Sequence, residues 1–250
     1  NMVIIILAIT GLIFGSFANA VAWRIKTGES ITHGRSMCPA CRHRLASLDL
    51  IPVLSWILLR GKCRYCKKPI SLQYPCIELI TALIFALSTS LLSALGPVLL
   101  GIWLAVVVCL MILTIYDARW YELPNKVMHP ALILASIYYV LHFELAGGFL
   151  QLRSAVSAAA IFYAMWRFSD GKLMGGADSK LVLVMGLILE PELLIVAIGL
   201  GFMLGGVGAA VLLARKQKGM RDHMPFGPYL IAGLIIAQLI GPQLIHLLGF

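Results

Sequence analysis

Long apolar runs separated by short polar segments dominate the pattern along the chain. The first run reaches residue 23, and seven more follow at 73–94, 98–116, 128–147, 152–168, 180–190, 193–214 and 228–248. Most are close to the ~20 residues that a helix needs to cross the hydrocarbon core of a bilayer. The pattern therefore predicts an all-α polytopic membrane protein with about eight transmembrane helices. The sixth run is short and can span only where neighbouring helices shield its ends or the bilayer is thin.

Composition supports a membrane protein. Of the 250 residues, 60% are hydrophobic and only 12% are charged, and the mean hydropathy is +0.93. Soluble domains are usually about half apolar and about a quarter charged. The first run has no basic segment before it and no clear cleavage site after it, so we interpret it as a spanning helix and not as a signal peptide.

The distribution of basic residues predicts the orientation. Of the 20 lysines and arginines, 19 lie in the segments 24–72, 117–127, 167–180 and 215–227, which eight spans place on one side. Arg153 is the exception. Cytoplasmic loops carry the excess of Lys and Arg, so this side is predicted to be cytoplasmic. The net charge of +9 then follows from topology, and nucleic-acid binding is not expected.

The pattern divides the chain into three predicted parts. Residues 1–23 form the first transmembrane helix, residues 24–72 a cytoplasmic insert, and residues 73–250 a membrane-embedded domain with the other seven helices. Within the insert, the apolar stretch LASLDLIPVLSWILLRGK at 45–62 is predicted to lie along the membrane surface and pack on the helices. Trp56 suits such an interface.

The insert contains two CxxC pairs. Cys38 and Cys41 form the first and Cys63 and Cys66 the second, with 21 residues between them. Paired CxxC knuckles are typical of a tetrahedral zinc site. The alternatives are two disulfides or four incidental thiols, and the reducing cytoplasm argues against disulfides. Four thiolates would fill the coordination shell, so the ion is predicted to be structural and to hold together an insert with little core of its own.

Two aspartates lie where predicted spans meet the cytoplasmic side. Asp117 ends the third run and Asp178 begins the sixth, so both are expected at a similar depth. Ionisable residues there are costly and usually functional. Two carboxylates in a desolvated place can share a proton, so that one activates a water and the other polarises a scissile carbonyl. The alternative is that each caps a helix or pairs with Arg119 or Lys180.

Motifs from the first run to the last match the pattern of one known family. GSFANAVAWR at 15–24 is similar to its opening motif, the two CxxC pairs to its zinc-binding insert, and QYPCIELITALIF at 73–85 to its second helix. YDARWYELPNK at 116–126 resembles its first aspartate motif and PFGPYL at 225–230 its last. By these motifs the chain resembles the type IV prepilin peptidases, bifunctional leader peptidases and N-methyltransferases of pilus assembly, type II secretion and competence systems.

The resemblance implies an activity and its partners. Asp117 and Asp178 would be an aspartyl protease pair that removes the basic leader of type IV prepilins or pseudopilins after a glycine. Cleavage would take place at the cytoplasmic face of the bacterial inner membrane, with the substrate's transmembrane helix held in the lipid. The new N-terminal amine would then be methylated from S-adenosylmethionine. For this second activity, Asn19 and Glu78 are candidates through the resemblance alone, and the alternative is a polar contact between spans.

The second aspartate motif departs from the family pattern. Gly175 and Gly176 leave room for a substrate backbone or a neighbouring helix to approach. The family pattern Gly-x-Gly-Asp has a glycine directly before the aspartate, whereas this chain has Ala177 before Asp178. A positive φ there would cost alanine ~1 kcal/mol. A requirement only for a small side chain would be met by alanine, and we expect the latter.

Three other functions are compatible with parts of the pattern. A presenilin-like intramembrane aspartyl protease fits the two aspartates but not the four-cysteine insert. An ion-coupled transporter would use the aspartates as proton sites, yet transporters commonly carry internal repeats, and none is evident in this sequence. A purely structural zinc scaffold would tolerate the loss of either aspartate but not the loss of Cys38.

Overall fold

The computed structural model describes residues 2–31, 33–143, 147–171, 174–214 and 224–248. These residues form α-helices, two short 3-10 helices at Ser47–Leu50 and Ser93–Leu95, and no strand beyond two isolated β-bridges. This agrees with the prediction of an all-α protein. Residues 172–173 and 215–223, parts of two predicted basic segments, lie outside the described residues, as do residues 144–146 at the end of the fourth apolar run.

Within the described residues, each of the eight predicted apolar runs forms one helix, and a further, short helix lies in the insert. The bounds are α1 Met2–Thr27, α2 Leu54–Leu58, α3 Gln73–Leu91, α4 Gly96–Trp120, α5 Asn125–His142, α6 Gly147–Phe168, α7 Gly176–Ile188, α8 Pro191–Ala214 and α9 Gly227–Leu248. Among the described residues, α1, α3, α4 (with the short helix before it) and α8 are long and apolar enough to cross a membrane. The count of eight spans stays a prediction.

The chain divides into two compact units after Ser93. In the first unit α1 packs along α3. A Cβ added at Gly15 would lie 2.7 Å from the Cα of Glu78, so glycine is what lets the two helix backbones touch. The structure thus groups α3 with α1, whereas the predicted division placed residue 73 and everything after it in one domain.

The second unit, Ala94–Phe250, is built around α4 and α7. Trp103, Leu110 and Leu113 of α4 are fully buried. Helix α7 has only 13 residues, about 20 Å, but nine of them are buried. A helix that is apolar on all sides must be covered on all sides, and α5, α6, α8 and α9 contact it. These four helices therefore shield α7, in line with the expectation that neighbouring helices shield the short sixth run.

Close backbone contact fixes α7 against α6. A Cβ at Gly186 would lie 2.5 Å from the Cα of Ala155, so only glycine allows this approach. Helices α4 and α7 both pack on α5 and on α9. The last turn of α4 and the first turn of α7 each carry a buried aspartate.

Candidate functional site

The two CxxC pairs of the first unit form matching turns. In the first, the N–H of Cys38 donates to the carbonyl of His43 at 3.0 Å. In the second, the N–H of Cys63 donates to the carbonyl of Lys68 at 2.9 Å, with the same five-residue spacing. A β-bridge closes each turn, Met37 with Arg44 and Lys62 with Pro69. As a result, the two pairs of cysteine sulfurs face each other.

The four cysteine sulfurs come together as the sequence predicts. The Sγ atoms of Cys38, Cys41, Cys63 and Cys66 all lie within 4.8 Å of one another, and Cys38 Sγ is 4.0 Å from Cys66 Sγ. A tetrahedral ion with metal–sulfur bonds of ~2.3 Å would separate its sulfurs by roughly 3.8 Å. Burial alone would raise the pKa of Cys38, but backbone N–H bonds from Cys41 and Ala40 lower it to about 7. The number and the spacing of the four sulfurs fit a thiophilic metal ion.

One carboxylate ties the two knuckles together, and the sequence did not single it out. Asp49 accepts a hydrogen bond from Arg64 Nε at 2.7 Å, one from the Tyr65 hydroxyl at 3.2 Å, and one from the N–H of Ala46 at 3.2 Å. The Tyr65 ring lies against His43 of the first knuckle, with ring centroids 3.7 Å apart. Burial alone would raise the pKa of Asp49, but the bond from Arg64 and the Ala46 N–H hold it below its usual value. The signal available in the sequence was that Asp49 is the only acidic residue between the two CxxC pairs.

Asp117 is buried in the last turn of α4. Its side chain is 6% exposed, and Oδ2 accepts the backbone N–H of Gly227 at 2.9 Å. A Cβ at Gly227 would lie 2.7 Å from the same oxygen. The PFGPYL motif at the start of α9 is therefore in direct contact with the first aspartate motif, although 110 residues separate Asp117 from Gly227.

Asp178 is buried in the first turn of α7. It is 5% exposed, and Oδ2 accepts the backbone N–H of Gly175 at 3.0 Å. This is the reach-back bond that an acidic residue makes at the third position of a helix, so the predicted capping role is real for Asp178. Both predicted aspartates are therefore buried, each in an end turn of a helix of the second unit.

Lys180, a predicted basic partner of the aspartates, bonds to another residue in the described part of the chain. Lys180 Nζ donates to Asn125 Oδ1 at 2.9 Å. An ion pair joins Arg64 and Asp49 in the insert. Asp117 and Asp178 are both buried, which is costly for a charged group.

The residues before Asp178 have distinct roles in packing. A Cβ at Gly176 would lie 2.9 Å from the Trp166 ring, so this glycine lets α6 approach the start of α7. A Cβ at Gly175 would lie 3.3 Å from Asp178 Oδ2. Ala177 is the second residue of α7 and does not have a positive φ. The backbone at Ala177 therefore does not demand glycine, in line with the expectation that a small side chain suffices.

The remaining two candidates, Asn19 and Glu78, lie in the first unit. Asn19 Nδ2 donates to the carbonyl of Gly15 at 3.2 Å and to that of Tyr74 at 3.4 Å, which joins α1 to α3. Glu78 Oε2 accepts the backbone N–H of Val53 at 2.7 Å. Both side chains are buried. Their contacts are polar bonds that hold the helices and the insert together.

Two family models match the chain, one in each unit. The Bacterial Peptidase A24 N-terminal domain matches residues 9–92, and the Type IV leader peptidase family matches residues 104–210. The junction between the two matches contains the boundary between the structural units after Ser93. No solved structure matches the chain.

Several curated proteins are similar over most of their length. A prepilin leader peptidase/N-methyltransferase from Bacillus subtilis (strain 168) is 34% identical over 248 residues, which cover 96% of this chain and 95% of that protein. A protein of the same name from Neisseria gonorrhoeae is 33% identical, covering 92% and 88%. Another from Aeromonas hydrophila is 34% identical, covering 84% and 73%.

Proposed function

The chain belongs to the type IV leader peptidase family, and on that premise we propose that it removes the leader peptide of prepilins and methylates the new N-terminus, with Asp117 and Asp178 as its catalytic pair. One observation carries the assignment of the pair. Both carboxylates are buried in end turns of separate helices of one unit, and a backbone N–H holds each of them in place. Buried carboxylates without a basic partner are costly, and such cost is typical of a catalytic site.

The two carboxylates can divide the work of hydrolysis. Like charges in a desolvated site cannot both form easily, so one aspartate keeps a proton while the other is ionised. The ionised carboxylate takes a proton from a water whose oxygen attacks the scissile carbonyl carbon, and the protonated one donates to the carbonyl oxygen. When the tetrahedral intermediate collapses, the C–N bond breaks, the aspartate that took the water proton gives it to the departing amine, and the other aspartate takes back a proton from a hydroxyl of the intermediate. The pair then has apparent pKa values that belong to both residues together.

The backbone donors explain how the pair keeps its geometry. The N–H groups of Gly175 and Gly227 each bind Oδ2 of an aspartate. Within the described residues, Oδ1 of neither carboxylate makes a hydrogen bond to protein, which leaves those oxygens for a water and a substrate carbonyl. A pair of carboxylates fixed by main-chain bonds needs little reorganisation during the reaction.

The topology suits a substrate held by its own helix. The basic segments favour a cytoplasmic position for both aspartate motifs in the bacterial inner membrane. A prepilin or pseudopilin would lie with its transmembrane helix in the lipid and its leader at the cytoplasmic face, where the bond after the glycine meets the aspartates. Gly175 leaves the approach to Asp178 free of a side chain.

Zinc is the ion that we propose for the cysteine cluster. Cys38, Cys41, Cys63 and Cys66 would hold it through four thiolates, and a filled shell supplies structure and no open coordination position. S-adenosylmethionine is the methyl donor of the proposed second activity. Asn19 and Glu78 stay candidates for that activity, but their hydrogen bonds in the first unit favour a packing role for both.

Mass spectrometry of a prepilin substrate tests the proposal. The purified protein, with S-adenosylmethionine and substrate in the same detergent or lipid, should release the leader and add one methyl group to the mature chain. Asp117→Asn and Asp178→Asn should leave the substrate whole. A transporter or a zinc scaffold would never cut the substrate, whereas a cut by both variants would assign the chemistry to other residues.

A further inference from the structure

The short helix α2 of the insert exposes an apolar face. Leu54, Ile57 and Leu58 are 48%, 57% and 72% exposed, and their spacing places them on one side of the helix. The opposite side is half-buried, and Trp56 Nε1 there donates to the carbonyl of Ile70 at 3.1 Å. Three neighbouring large apolar side chains turned outward on a polar insert mark an interaction surface.

A hydrogen bond fixes the depth of this helix relative to a candidate membrane span. The N–H of Val53, the residue before α2, donates to Glu78 Oε2 at 2.7 Å. Glu78 lies five residues after the start of α3 at Gln73, which is ~7.5 Å along the helix axis. The 19 residues of α3 measure about 28 Å, close to the ~30 Å of the hydrocarbon core. The start of α2 is thus level with the first turns of α3, a helix long enough to cross the hydrocarbon core of the bilayer.

Helix α3 also exposes large apolar side chains. Leu79, Ile80 and Leu83 are 54%, 47% and 57% exposed, as expected for the outward face of a spanning helix. Amphipathic helices in the membrane interface bury their apolar face ~5–10 Å into the headgroup and acyl boundary. The depth set by the Val53–Glu78 bond falls in that range.

Charge next to α2 fits the same surroundings. Arg60 and Lys62 directly follow the helix and are exposed. Basic residues at this level are attracted to the anionic headgroups of the cytoplasmic leaflet. A protein partner for the apolar face would not by itself require this depth or this charge.

We propose that α2 is an interfacial anchor: its face formed by Leu54, Ile57 and Leu58 lies against acyl chains, and Arg60 and Lys62 contact anionic headgroups. The cysteine insert is then held at the membrane surface from two directions, by the Val53–Glu78 bond and by lipid. The anchor does not depend on the chemistry of the aspartate pair, so its failure would leave the proposed peptidase function intact.

Photo-crosslinking in lipid nanodiscs tests the anchor. A benzophenone amino acid replaces Leu58 in the full-length protein, with Leu83 of α3 as the lipid-facing comparison and Lys68 of the second knuckle as the polar one. Nanodiscs contain phosphatidylcholine alone or mixed with phosphatidylglycerol. The zinc content of each variant verifies that the insert is folded, and Ile57 is the alternative position if Leu58 fails this check.

The expected result is a lipid adduct at position 58 with a yield similar to that at position 83 and several-fold above that at position 68. The yield at 58 should rise with phosphatidylglycerol, and Arg60→Gln with Lys62→Gln should remove that rise. The proposal is overturned if the crosslinks from position 58 go to a second copy, to residues 94–250 of the same chain or to an added prepilin. It is also overturned if lipid adducts at 58 are no more frequent than at 68.

Discussion

Replacement of Gly227 by alanine tests whether the start of α9 sets the geometry of Asp117. The new Cβ would lie 2.7 Å from Asp117 Oδ2, which is about 0.7 Å shorter than the 3.4 Å of an ordinary van der Waals contact. Gly227 does not have a positive φ and begins α9, so the backbone itself tolerates alanine. The carboxylate must therefore move or rotate, and its bond to the Gly227 N–H is strained or lost.

The size of the effect follows from that displacement. A shift of ~1 Å in a catalytic group can cost ~100-fold in rate, so a shift of about 0.7 Å should lower kcat for leader cleavage roughly 10- to 100-fold. The loss in stability should stay within the ~1–3 kcal/mol typical of one added methyl in a packed site. KM should change little, since the substrate helix is held by lipid and protein surfaces away from this atom.

Cleavage kinetics of a prepilin under single-turnover conditions provide the measurement. Gly206→Ala is the matched control, because a Cβ at Gly206 of α8 has no atom within 4 Å. The control should cleave at the wild-type rate. If Gly227→Ala also cleaves within about twofold of wild type, while folded and at equal zinc content, Asp117 is not positioned as described.

Three further predictions concern the insert and the second aspartate motif. Cys63→Ser should lower the bound zinc, measured by elemental analysis, and make the insert more sensitive to protease; normal zinc stoichiometry would contradict the cluster. Ala177→Gly should change kcat less than about threefold, because the position already has a helical φ and glycine costs only ~1 kcal/mol in a helix; a large gain in rate would show that Ala177 impairs the site. Glu78→Ala should speed hydrogen exchange of α2, since Val53 loses its acceptor while it keeps a strained φ of 61°. Adding Val53→Gly to Glu78→Ala should recover part of the protection, and no recovery would argue against a strained turn held by Glu78.

The sequence predicted the helices well because their signal is local. Each apolar run became one helix, and the short sixth run became the short, enclosed α7. The four cysteines were also predictable, since CxxC turns form within a few residues and only the meeting of two turns is a long-range event. The aspartate pair stays a prediction from topology, which places the ends of these two spans on one side.

Contacts between distant parts of the chain were beyond local patterns. Gly227 belongs to a motif that was recognised, but nothing in its spacing indicated that its N–H binds Asp117. The turn at Val53 could not be predicted either, because a β-branched residue strongly disfavours a positive φ. The hydrogen bond to Glu78, a distant residue in the sequence, holds Val53 in this conformation. Asp49 was visible as an acid in an apolar stretch, yet its three partners depend on both knuckles being folded.

The central claim is that Asp117 and Asp178 act as one unit, and a comparison of single and double variants tests it most directly. Single-turnover cleavage of a prepilin is measured for Asp117→Asn, Asp178→Asn and the double variant, each with normal zinc content. Residues that act as a unit have strongly non-additive effects, so each single change should lower the rate by ~1000-fold or more and the double change no further. A single variant that cuts near the wild-type rate, or a double variant whose loss equals the product of two partial losses, would contradict the claim.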